Sequence, residues 1–213
     1  MIIVIFGPPG AGKGTQSELI ASEFGLKKIS TGDLLREEIK KDSNLGKKIK
    51  LIIDQGQFTS DNLINDLIKN VLYKDKKNNQ IIFDGYPRNA NQAETLDDLL
   101  SKIEQNLKLA LNLEVNKEIL FKRVTGRSFC SKCKKTFNDF FDPPNKNHKC
   151  ESKFLKRRSD DTRQVFETRL NAYFENTLPI LNFYEKKNIL HKISGDGDIS
   201  LIYKQISDII RRL

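Results

Sequence analysis

Short apolar runs alternate with helical patterns along most of the chain. Apolar runs of strand length occur at residues 2–6, 26–29, 81–83, 107–113 and 189–193. Helical patterns occupy residues 13–24, 33–41, 90–103, 162–186 and 199–212, with Pro179 interrupting the fourth. Strands that alternate with helices predict an α/β protein whose parallel sheet is covered by helices on both faces. Ligands of such sheets bind beyond the carboxyl ends of the strands.

Two segments interrupt this alternation and divide the chain. Residues 31–59 have a helical pattern throughout, and residues 126–163 contain every cysteine of the chain together with the pair Pro143-Pro144. We expect both to be insertions that rise from the ligand edge of the sheet. The prediction is therefore a core domain of residues 1–29, 60–125 and 164–213, with inserted domains at residues 30–59 and 126–163.

The composition is that of a folded protein without a membrane span. Of the 213 residues, 38% are hydrophobic and 31% are charged, so the chain can bury a core and is neither disordered nor fibrous. No apolar run approaches the ~20 residues that cross a bilayer. The apolar start at residues 1–6 has no basic residue before it and runs directly into glycines, unlike a signal peptide. We therefore expect a cytoplasmic protein with no membrane partner.

Charge and cysteine content narrow the possible functions. Lysine and arginine outnumber aspartate and glutamate by 37 to 28, which gives a formal net charge of +9. Such a charge favours anionic partners, but it does not choose among nucleic acid, membrane surface and phosphorylated small molecules. The three cysteines are Cys130, Cys133 and Cys150. An odd number, clustered in sequence, argues against a disulfide framework and for a metal site or free thiols.

A glycine-rich segment, GPPGAGKGT at residues 7–15, directly follows the first predicted strand and opens the first predicted helix. Its glycines let the backbone curl so that several N–H groups point at one phosphate, and the helix N-terminus adds its positive end. Lys13 can then reach the outer phosphates. Gly14 stands between this lysine and Thr15, whereas the usual pattern has the hydroxyl residue directly after the lysine. The predicted ATP-binding residues of this phosphate loop are Gly10, Ala11, Gly12, Lys13, Gly14 and Thr15.

Two further motifs accompany the phosphate loop: STGDLLR at residues 30–36, and FDGYPRN at residues 83–89 with Gln92 after it. With these three motifs in this order, the chain resembles the nucleoside monophosphate kinases, and among them the adenylate kinase family. The resemblance extends from end to end of the chain. It implies a P-loop fold in which the insertion at 30–59 binds AMP and the insertion at 126–163 is a lid over ATP. It also implies the reaction ATP + AMP ⇌ 2 ADP, with Mg²⁺ accompanying ATP and a role in adenine nucleotide homeostasis.

The resemblance assigns a set of residues to an AMP site. Arg36 and Arg88 have the planar, forked guanidinium geometry that matches phosphate oxygens. Gln92 offers both a donor and an acceptor, as a purine edge requires. Residues 57–59 correspond to the wall against which adenine lies. The implied residues are Thr31, Arg36, Gln57, Phe58, Thr59, Gly85, Tyr86, Pro87, Arg88, Gln92, Arg158 and Arg169.

The remaining implied residues lie on the ATP side. Asp84 ends a predicted strand, where a carboxylate can hold Mg²⁺ through water beside the triphosphate. No histidine or cysteine falls within the motifs, so we expect direct in-line transfer with no phosphoenzyme. The resemblance adds to the ATP site Arg123, Arg127, Thr136, Phe137 and, through its backbone carbonyl, Gly197. The expected catalytic residues are Lys13, Asp84, Arg88, Arg123, Arg158 and Arg169.

The cysteines of the implied lid form part of a zinc-binding pattern. Cys130-x-x-Cys133 fits one half of a tetrahedral site. Cys150 stands where the zinc-bearing lids of the family have their third ligand. The fourth ligand position of those lids is occupied here by Lys153, which cannot bind zinc.

Two outcomes remain open for this metal site. Either His148 or Glu151 supplies the fourth ligand, or the site is lost and the cysteines are packing residues. We favour a structural zinc ion, because all three cysteines of the chain occupy ligand positions.

Two other functions are compatible with parts of the sequence. One is a kinase of the same family that acts on UMP, CMP or GMP, against which Thr31 and Gln92 favour adenine. The other is a P-loop ATPase whose zinc-ribbon insertion binds nucleic acid, supported by the net charge of +9 and by residues 130–133. The aromatic residues near the cysteines are more simply lid core than a surface for base stacking. We expect ATP, AMP and ADP as partners, no nucleic acid, and a monomer.

Overall fold

Five parallel strands form the central sheet in a computed structural model that describes residues 1–74, 80–144 and 148–213. They are β1 (Ile2–Phe6), β2 (Lys27–Ser30), β3 (Ile81–Asp84), β4 (Leu109–Glu114) and β8 (Leu190–Ser194). Their order across the sheet is β2-β3-β1-β4-β8, and each neighbouring pair is parallel. The predicted α/β fold with a parallel sheet is therefore confirmed.

Helices cover both faces of this sheet and divide the apolar side chains between two cores. Successive strand residues point to opposite faces, so Val4 of β1 belongs to one core and its neighbour Ile3 belongs to the other. The helices are α1 (Lys13–Phe24), α2 (Thr31–Lys40), α3 (Asn44–Asp54), α4 (Asp61–Lys74), α5 (Ala90–Ser101), α6 (Lys117–Thr125), α7 (Arg163–Ala172), α8 (Leu181–Lys186) and α9 (Ile199–Ile210). One core contains residues of α2, α3, α4, α5 and α8, and the other contains residues of α1, α6, α7 and α9.

The carboxyl ends of the central strands meet at one edge of the sheet. Asp84 at the end of β3 is in register with Ile5 of β1 on one side and with Ser30 of β2 on the other. The phosphate loop after β1, the start of α2 and the turn after β3 therefore leave the sheet side by side. Parallel α/β sheets bind their ligands at such an edge.

The insertion after β2 is helical, as its sequence predicts. Residues 31–59, all of which the structure describes, contain α2 and α3 and no strand. Each helix begins at a serine cap: the Ser30 hydroxyl accepts from the Asp33 N–H at 3.3 Å, and the Ser43 hydroxyl accepts from the Gly46 N–H at 2.9 Å. The two helices pack closely at Gly46, where an added Cβ would lie 2.7 Å from the Glu38 carbonyl oxygen.

The cysteine-bearing segment forms a small sheet of its own. Its antiparallel strands lie in the order β6-β5-β7, where β5 is Arg127–Cys130, β6 is Thr136–Asn138 and β7 is Leu155–Lys156. Among the described residues, none of these strands joins the central sheet. Residues 145–147 of the predicted lid lie outside the described residues. The proposed domain boundaries at 29/30, 59/60, 125/126 and 163/164 stay predictions.

Several element boundaries differ from the sequence prediction. Helix α2 begins at Thr31 rather than at residue 33, because Ser30 caps it there. The second, fourth and fifth strands of the central sheet begin one or two residues later than expected, at Lys27, Leu109 and Leu190. The predictions for 26–29, 107–113 and 189–193 are thus correct in type and shifted in position. Helices α4 and α6 and the three lid strands had not been predicted.

The long helical pattern at 162–186 is interrupted around Pro179, as predicted, although the chain stays helical. After α7 the chain continues through a π-helical turn, Tyr173–Thr177, and a 3₁₀ turn, Leu178–Ile180, into α8. Pro179 lies in the first turn of the 3₁₀ segment, where a missing N–H costs no helical hydrogen bond. In the three described stretches of the chain, no helix combines the length and apolarity needed to cross a membrane.

Candidate active site

The phosphate loop leaves β1 and turns sharply into α1. Gly10 and Gly12 have positive φ angles of 85° and 94°, which favour glycine, and an added Cβ at Gly10 would lie 2.7 Å from the Leu120 carbonyl oxygen. The Lys13 ammonium folds back onto the loop and donates to the carbonyl oxygens of Gly7 at 2.6 Å and Pro8 at 3.0 Å. The loop is thus shaped before any ligand binds.

Burial changes the acidity of the loop lysine. It lowers the pKa of Lys13 to about 8, an effect that the nearby Asp84 carboxylate opposes and that Arg88 reinforces. Asp84 lies close to the loop, since an added Cβ at Gly14 would be 3.4 Å from its Oδ2 atom. The end of β3 therefore brings one carboxylate next to the buried amine, as its sequence position predicts.

A cavity opens between α2, the segment after α3 and the turn after β3. Asp160 lines it. The predicted AMP-site residues that line it are Thr31, Arg36, Gln57, Phe58, Thr59, Gly85, Arg88, Gln92 and Arg169.

Three predicted AMP-site residues do not line this cavity. The Tyr86 side chain is buried in the core, and its hydroxyl donates to Asn65 Oδ1 at 2.8 Å. Pro87 follows it through a cis peptide bond. Arg158 lies on the lid side, where its guanidinium makes no hydrogen bond with any residue that the structure describes.

The turn after β3 holds Arg88 at the mouth of the cavity. The Gly85 carbonyl oxygen accepts from both Thr31 Oγ1 and Arg88 Nε, each at 2.8 Å. Gly85 has a φ angle of +78°, and an added Cβ would lie 3.0 Å from Thr31 Oγ1. The Arg88 guanidinium also lies 5.0 Å from the centre of the Phe58 ring. Arg88 Nη2 donates to Thr31 Oγ1 at 3.3 Å, so Gly85, Phe58 and Thr31 together set its position.

Helix α5 orients the Gln92 side chain. The Asn89 side chain caps the helix and accepts from the Gln92 N–H at 2.9 Å. Gln92 Oε1 accepts from the Arg88 N–H at 2.9 Å, and Gln92 Nε2 donates to Asp61 Oδ1 at 2.7 Å. The sequence does not predict Asp61 as a functional residue, because its contact with Gln92 joins residues 31 positions apart.

Carboxylates hold individual arginines around the cleft. Arg169 donates to Asp160 Oδ2 at 2.5 Å. Arg127 donates through both Nε and Nη2 to Asp161, the first at 2.8 Å. These bidentate and charge-assisted contacts fix guanidinium geometry. The roles of Asp160 and Asp161 had not been predicted, although the pair follows Arg158 directly in sequence.

The cations of the cleft also face one another. Burial lowers the pKa of Arg88 to about 10, and the neighbouring Arg169 contributes to the shift. Burial likewise lowers the pKa of Arg158 to about 10, with contributions from Arg127 and Arg36. Like charges in a partly desolvated cleft disfavour one another, so bound anions would relieve a repulsion already present.

The residues predicted to contact the ATP base make longer contacts than those around the phosphate loop. Arg123 Nη2 lies 3.5 Å from the Gly197 carbonyl oxygen, and an added Cβ at Gly197 would meet nothing within 4 Å. Thr136 is exposed on β6. Phe137 is buried and its ring packs edge-on against His148, with centroids 5.1 Å apart. Only the backbone of Phe137 is therefore left to contact a nucleotide.

The lid brings four metal-ligand side chains together. The ligand atoms of Cys130, Cys133, His148 and Cys150 all lie within 4.8 Å of one another. The buried His148 Nε2 has no hydrogen-bond partner among the described residues. The Cys130 thiol is buried, which raises its pKa, but hydrogen bonds from the Cys133 N–H, His148 and others outweigh this and lower the pKa to about 6. A thiolate next to an unpartnered imidazole nitrogen is the chemistry of a metal site.

The two expectations for a fourth ligand have different outcomes. His148 joins the three cysteines, whereas Glu151 forms an ion pair of 2.8 Å with Lys153 and is absent from the cluster of described residues. The cluster is therefore Cys₃His.

The lysine of the phosphate loop lies close enough to Arg88 and Arg169, which line the separate cavity, for their charges to lower its pKa. Two phosphorylated molecules can thus meet there, and there is a carboxylate beside the loop but no histidine or cysteine among the residues that line the cavity. The fold and the cleft together define a P-loop phosphotransferase that acts on a nucleotide acceptor.

Comparison with known proteins identifies the family. The family model for adenylate kinase matches residues 5–189. The chain is 39% identical over 212 residues to the adenylate kinase of Listeria innocua, with 99% of each chain covered. It is 40% identical over 212 residues to that of Pelagibacter ubique, covering 99% of this chain and 100% of the relative. Identity to the adenylate kinase of Thermosipho melanesiensis is 39% over 214 residues, with both chains fully covered.

This chain belongs to the adenylate kinase family. It is a kinase that catalyses ATP + AMP ⇌ 2 ADP, with these nucleotides as substrates and products, and adenylate kinases use Mg²⁺ with ATP. Neither alternative function, the pyrimidine or guanine nucleotide kinase or the nucleic-acid-binding ATPase, finds support in these comparisons.

Replacing Lys13 with methionine tests the phosphate loop. We expect kcat to fall by about 100-fold or more, because the variant lacks the positive charge that reaches the phosphates. The Tm of the ligand-free variant at pH 7 should be no lower than that of the wild type, because burial disfavours the charged amine that methionine removes. A coupled assay of ADP formation and a thermal scan measure the two effects. Turnover within about threefold of the wild type would contradict the role.

The same pair of proteins gives a pH control. The pKa of Lys13 is lowered from 10.5 to about 8, so the folded protein binds fewer protons than the unfolded chain between those values. The free energy of unfolding of the wild type relative to Lys13→Met should therefore rise from pH 8 to pH 10. A constant difference would show that the amine is not buried.

Proposed function

We propose that the cavity beside α2 binds AMP through its phosphate and its base. Arg36 and Arg88 hold the phosphate, and Gln92 contacts the adenine edge. The observation that carries this proposal is the set of cations around one cleft. Arg88 and Arg158 both have pKa values lowered by burial and by other arginines. A dianionic phosphate among them exchanges repulsion for charge-assisted hydrogen bonds.

Phosphoryl transfer is proposed to be direct and in-line. The transferring group spreads negative charge over its oxygens, and fixed positive charges stabilise it without covalent chemistry. These charges are supplied by one lysine and four arginines: Lys13, Arg88, Arg123, Arg158 and Arg169. Mg²⁺ bound with ATP supplies further shielding of the phosphates, and Asp84 is the residue proposed to hold it. The closeness of Asp84 to Gly14 and Lys13 supports this assignment.

Closure of the two inserted segments over the cleft is proposed to exclude water, which would otherwise accept the phosphoryl group. One contact between the two segments supports this proposal. Ser159 Oγ donates to Asp54 Oδ1 at 2.8 Å. The assignment of residues 30–59 and 126–163 to separate moving domains follows from it. A monomeric state and a cytoplasmic location stay predictions.

The choice of acceptor tests the AMP site. ADP formation is measured with AMP, UMP, CMP and GMP in turn. We expect kcat/KM to be highest for AMP by about 10- to 100-fold, because the wrong base leaves the buried Gln92 amide unpaired at a cost of ~1–3 kcal/mol. Gln92→Leu should lose most of this preference while retaining its fold. Comparable values of kcat/KM for UMP and AMP in the wild type would contradict the proposal.

The lid cluster is proposed to hold a structural zinc ion. Three thiolates and an imidazole are a common tetrahedral donor set for zinc. The low pKa of Cys130 and the unpartnered Nε2 of His148 support a metal at this place. When bound, the ion would cross-link β5 to the segment around Cys150. The cluster lies in the lid segment, far in sequence from Lys13 and Asp84. The ion is therefore proposed to stabilise the lid and to take no part in phosphoryl transfer.

Metal removal tests the zinc proposal. Protein purified without chelator should contain about one zinc per chain, and chelation should lower the Tm. Activity measured well below the Tm should remain nearly unchanged. His148→Ala should lose zinc, whereas Glu151→Gln, beside the cluster but outside it, should keep it. Less than about 0.2 zinc per chain in the wild type would contradict a filled site.

A further inference from the structure

We propose that Asp61 is a positioning residue that fixes which way round the Gln92 amide faces, and so makes the acceptor site select a 6-aminopurine over a 6-oxopurine. The inference rests on the proposed contact between Gln92 and the base, and it adds a residue outside the three sequence motifs. It is argued from the contact between Asp61, the first residue of α4, and Gln92 in the first turn of α5.

Asp61 is surrounded by side-chain amides. Its carboxylate accepts from Asn89 Nδ2 at 2.9 and 3.1 Å, from Asn91 Nδ2 at 2.9 Å and from Gln92 Nε2 at 2.7 Å. Partial burial raises the pKa of Asp61, but the hydrogen bonds from these three amides outweigh that effect and lower it. The group is therefore an ionised carboxylate, which only accepts hydrogen bonds.

The Gln92 amide consequently has one favourable orientation. Its two faces have nearly the same shape, so packing alone would not distinguish its oxygen from its nitrogen. The Asp61 carboxylate accepts only and must face Nε2, while the Arg88 backbone N–H donates only and must face Oε1. A flipped amide would place oxygen against oxygen and N–H against N–H. Both contacts would be repulsive inside a nearly closed site, because Gln92 is only 2% exposed.

The orientation determines what the amide offers to a base. A primary amide has two N–H donors and two acceptor positions, of which Asp61 and Arg88 use one each. One N–H and one oxygen lone pair remain. This pair complements a purine whose N1 accepts and whose 6-amino group donates. A 6-oxopurine, with a donor at N1 and an acceptor at position 6, presents like to like. Selection between the two therefore depends on the two groups that oppose the flip, of which the Asp61 carboxylate is the one that a side-chain substitution can change.

The test compares AMP with IMP, which differ at N1 and position 6 of the base. The ratio of kcat/KM for AMP to that for IMP is measured in the wild type and in Asp61→Asn. The new amide can donate as well as accept, so one of the two contacts that oppose a flipped Gln92 amide is removed and only the Arg88 N–H remains. We expect the AMP:IMP ratio to fall by about tenfold or more, mainly through KM. Asp61→Ser, which also donates and accepts, is the second variant if the first does not fold.

Asn91→Ala is the matched control. It removes one of the amides on Asp61. The Asn91 side chain makes no hydrogen bond to the Gln92 side chain, and the residue is exposed. Its AMP:IMP ratio should stay within about twofold of the wild type even if its Tm falls. An equal fall of the AMP:IMP ratio in Asn91→Ala would mean that any disturbance of the contacts around Asp61 lowers it. That result would overturn the inference.

The outcome for Gln92→Leu separates this inference from the proposal beneath it. If Gln92→Leu loses the AMP:IMP preference but Asp61→Asn keeps it, the amide reads the base and Asp61 does not orient it. If Gln92→Leu keeps the preference, the base contact itself is wrong and the inference fails with it. Loss of the preference in both variants, and not in Asn91→Ala, supports the role of Asp61.

Discussion

Positive charges that repel one another across a single cleft are the constraint on which this site depends. Burial lowers the pKa of Lys13 to about 8 and those of Arg88 and Arg158 to about 10, and nearby arginines add to each shift. No ion pair with a described carboxylate neutralises these three groups. Phosphate oxygens bound in the cleft would exchange this repulsion for charge-assisted hydrogen bonds.

The sheet edge and a few carboxylates make this crowding possible. The register of β1, β2 and β3 brings the phosphate loop and the turn that carries Arg88 next to each other. Asp160 binds Arg169 and Asp161 binds Arg127, which fixes the geometry of both guanidinium groups. The cleft as a whole keeps an excess of positive charge. Positioning by fixed charges is what phosphoryl transfer requires of a protein, since the chemistry needs little covalent help.

Local motifs predicted much of the fold and most of the cavity lining, because glycines, the loop lysine and strand-ending carboxylates act through nearby backbone. Partners distant in sequence were not predictable. Asp61 meets Gln92 only because α4 packs beside α5, and nothing in one sequence marks that contact. His148 was one of two candidates until the lid fold excluded Glu151. Of the aromatic residues near the cysteines that were expected to be lid core, Phe137 is buried, whereas Phe140 and Phe141 are 59% and 53% exposed.

The central claim is that the cleft binds its acceptor chiefly through the negative charge of the phosphate, which offsets the repulsion between the cations. Calorimetric titration of the protein with AMP and with adenosine, at low and at high salt, tests it most directly. AMP should bind at least about 100-fold more tightly than adenosine at low salt, and the difference should shrink as ionic strength rises. Adenosine affinity within about threefold of that of AMP, or a difference that salt leaves unchanged, would contradict the account.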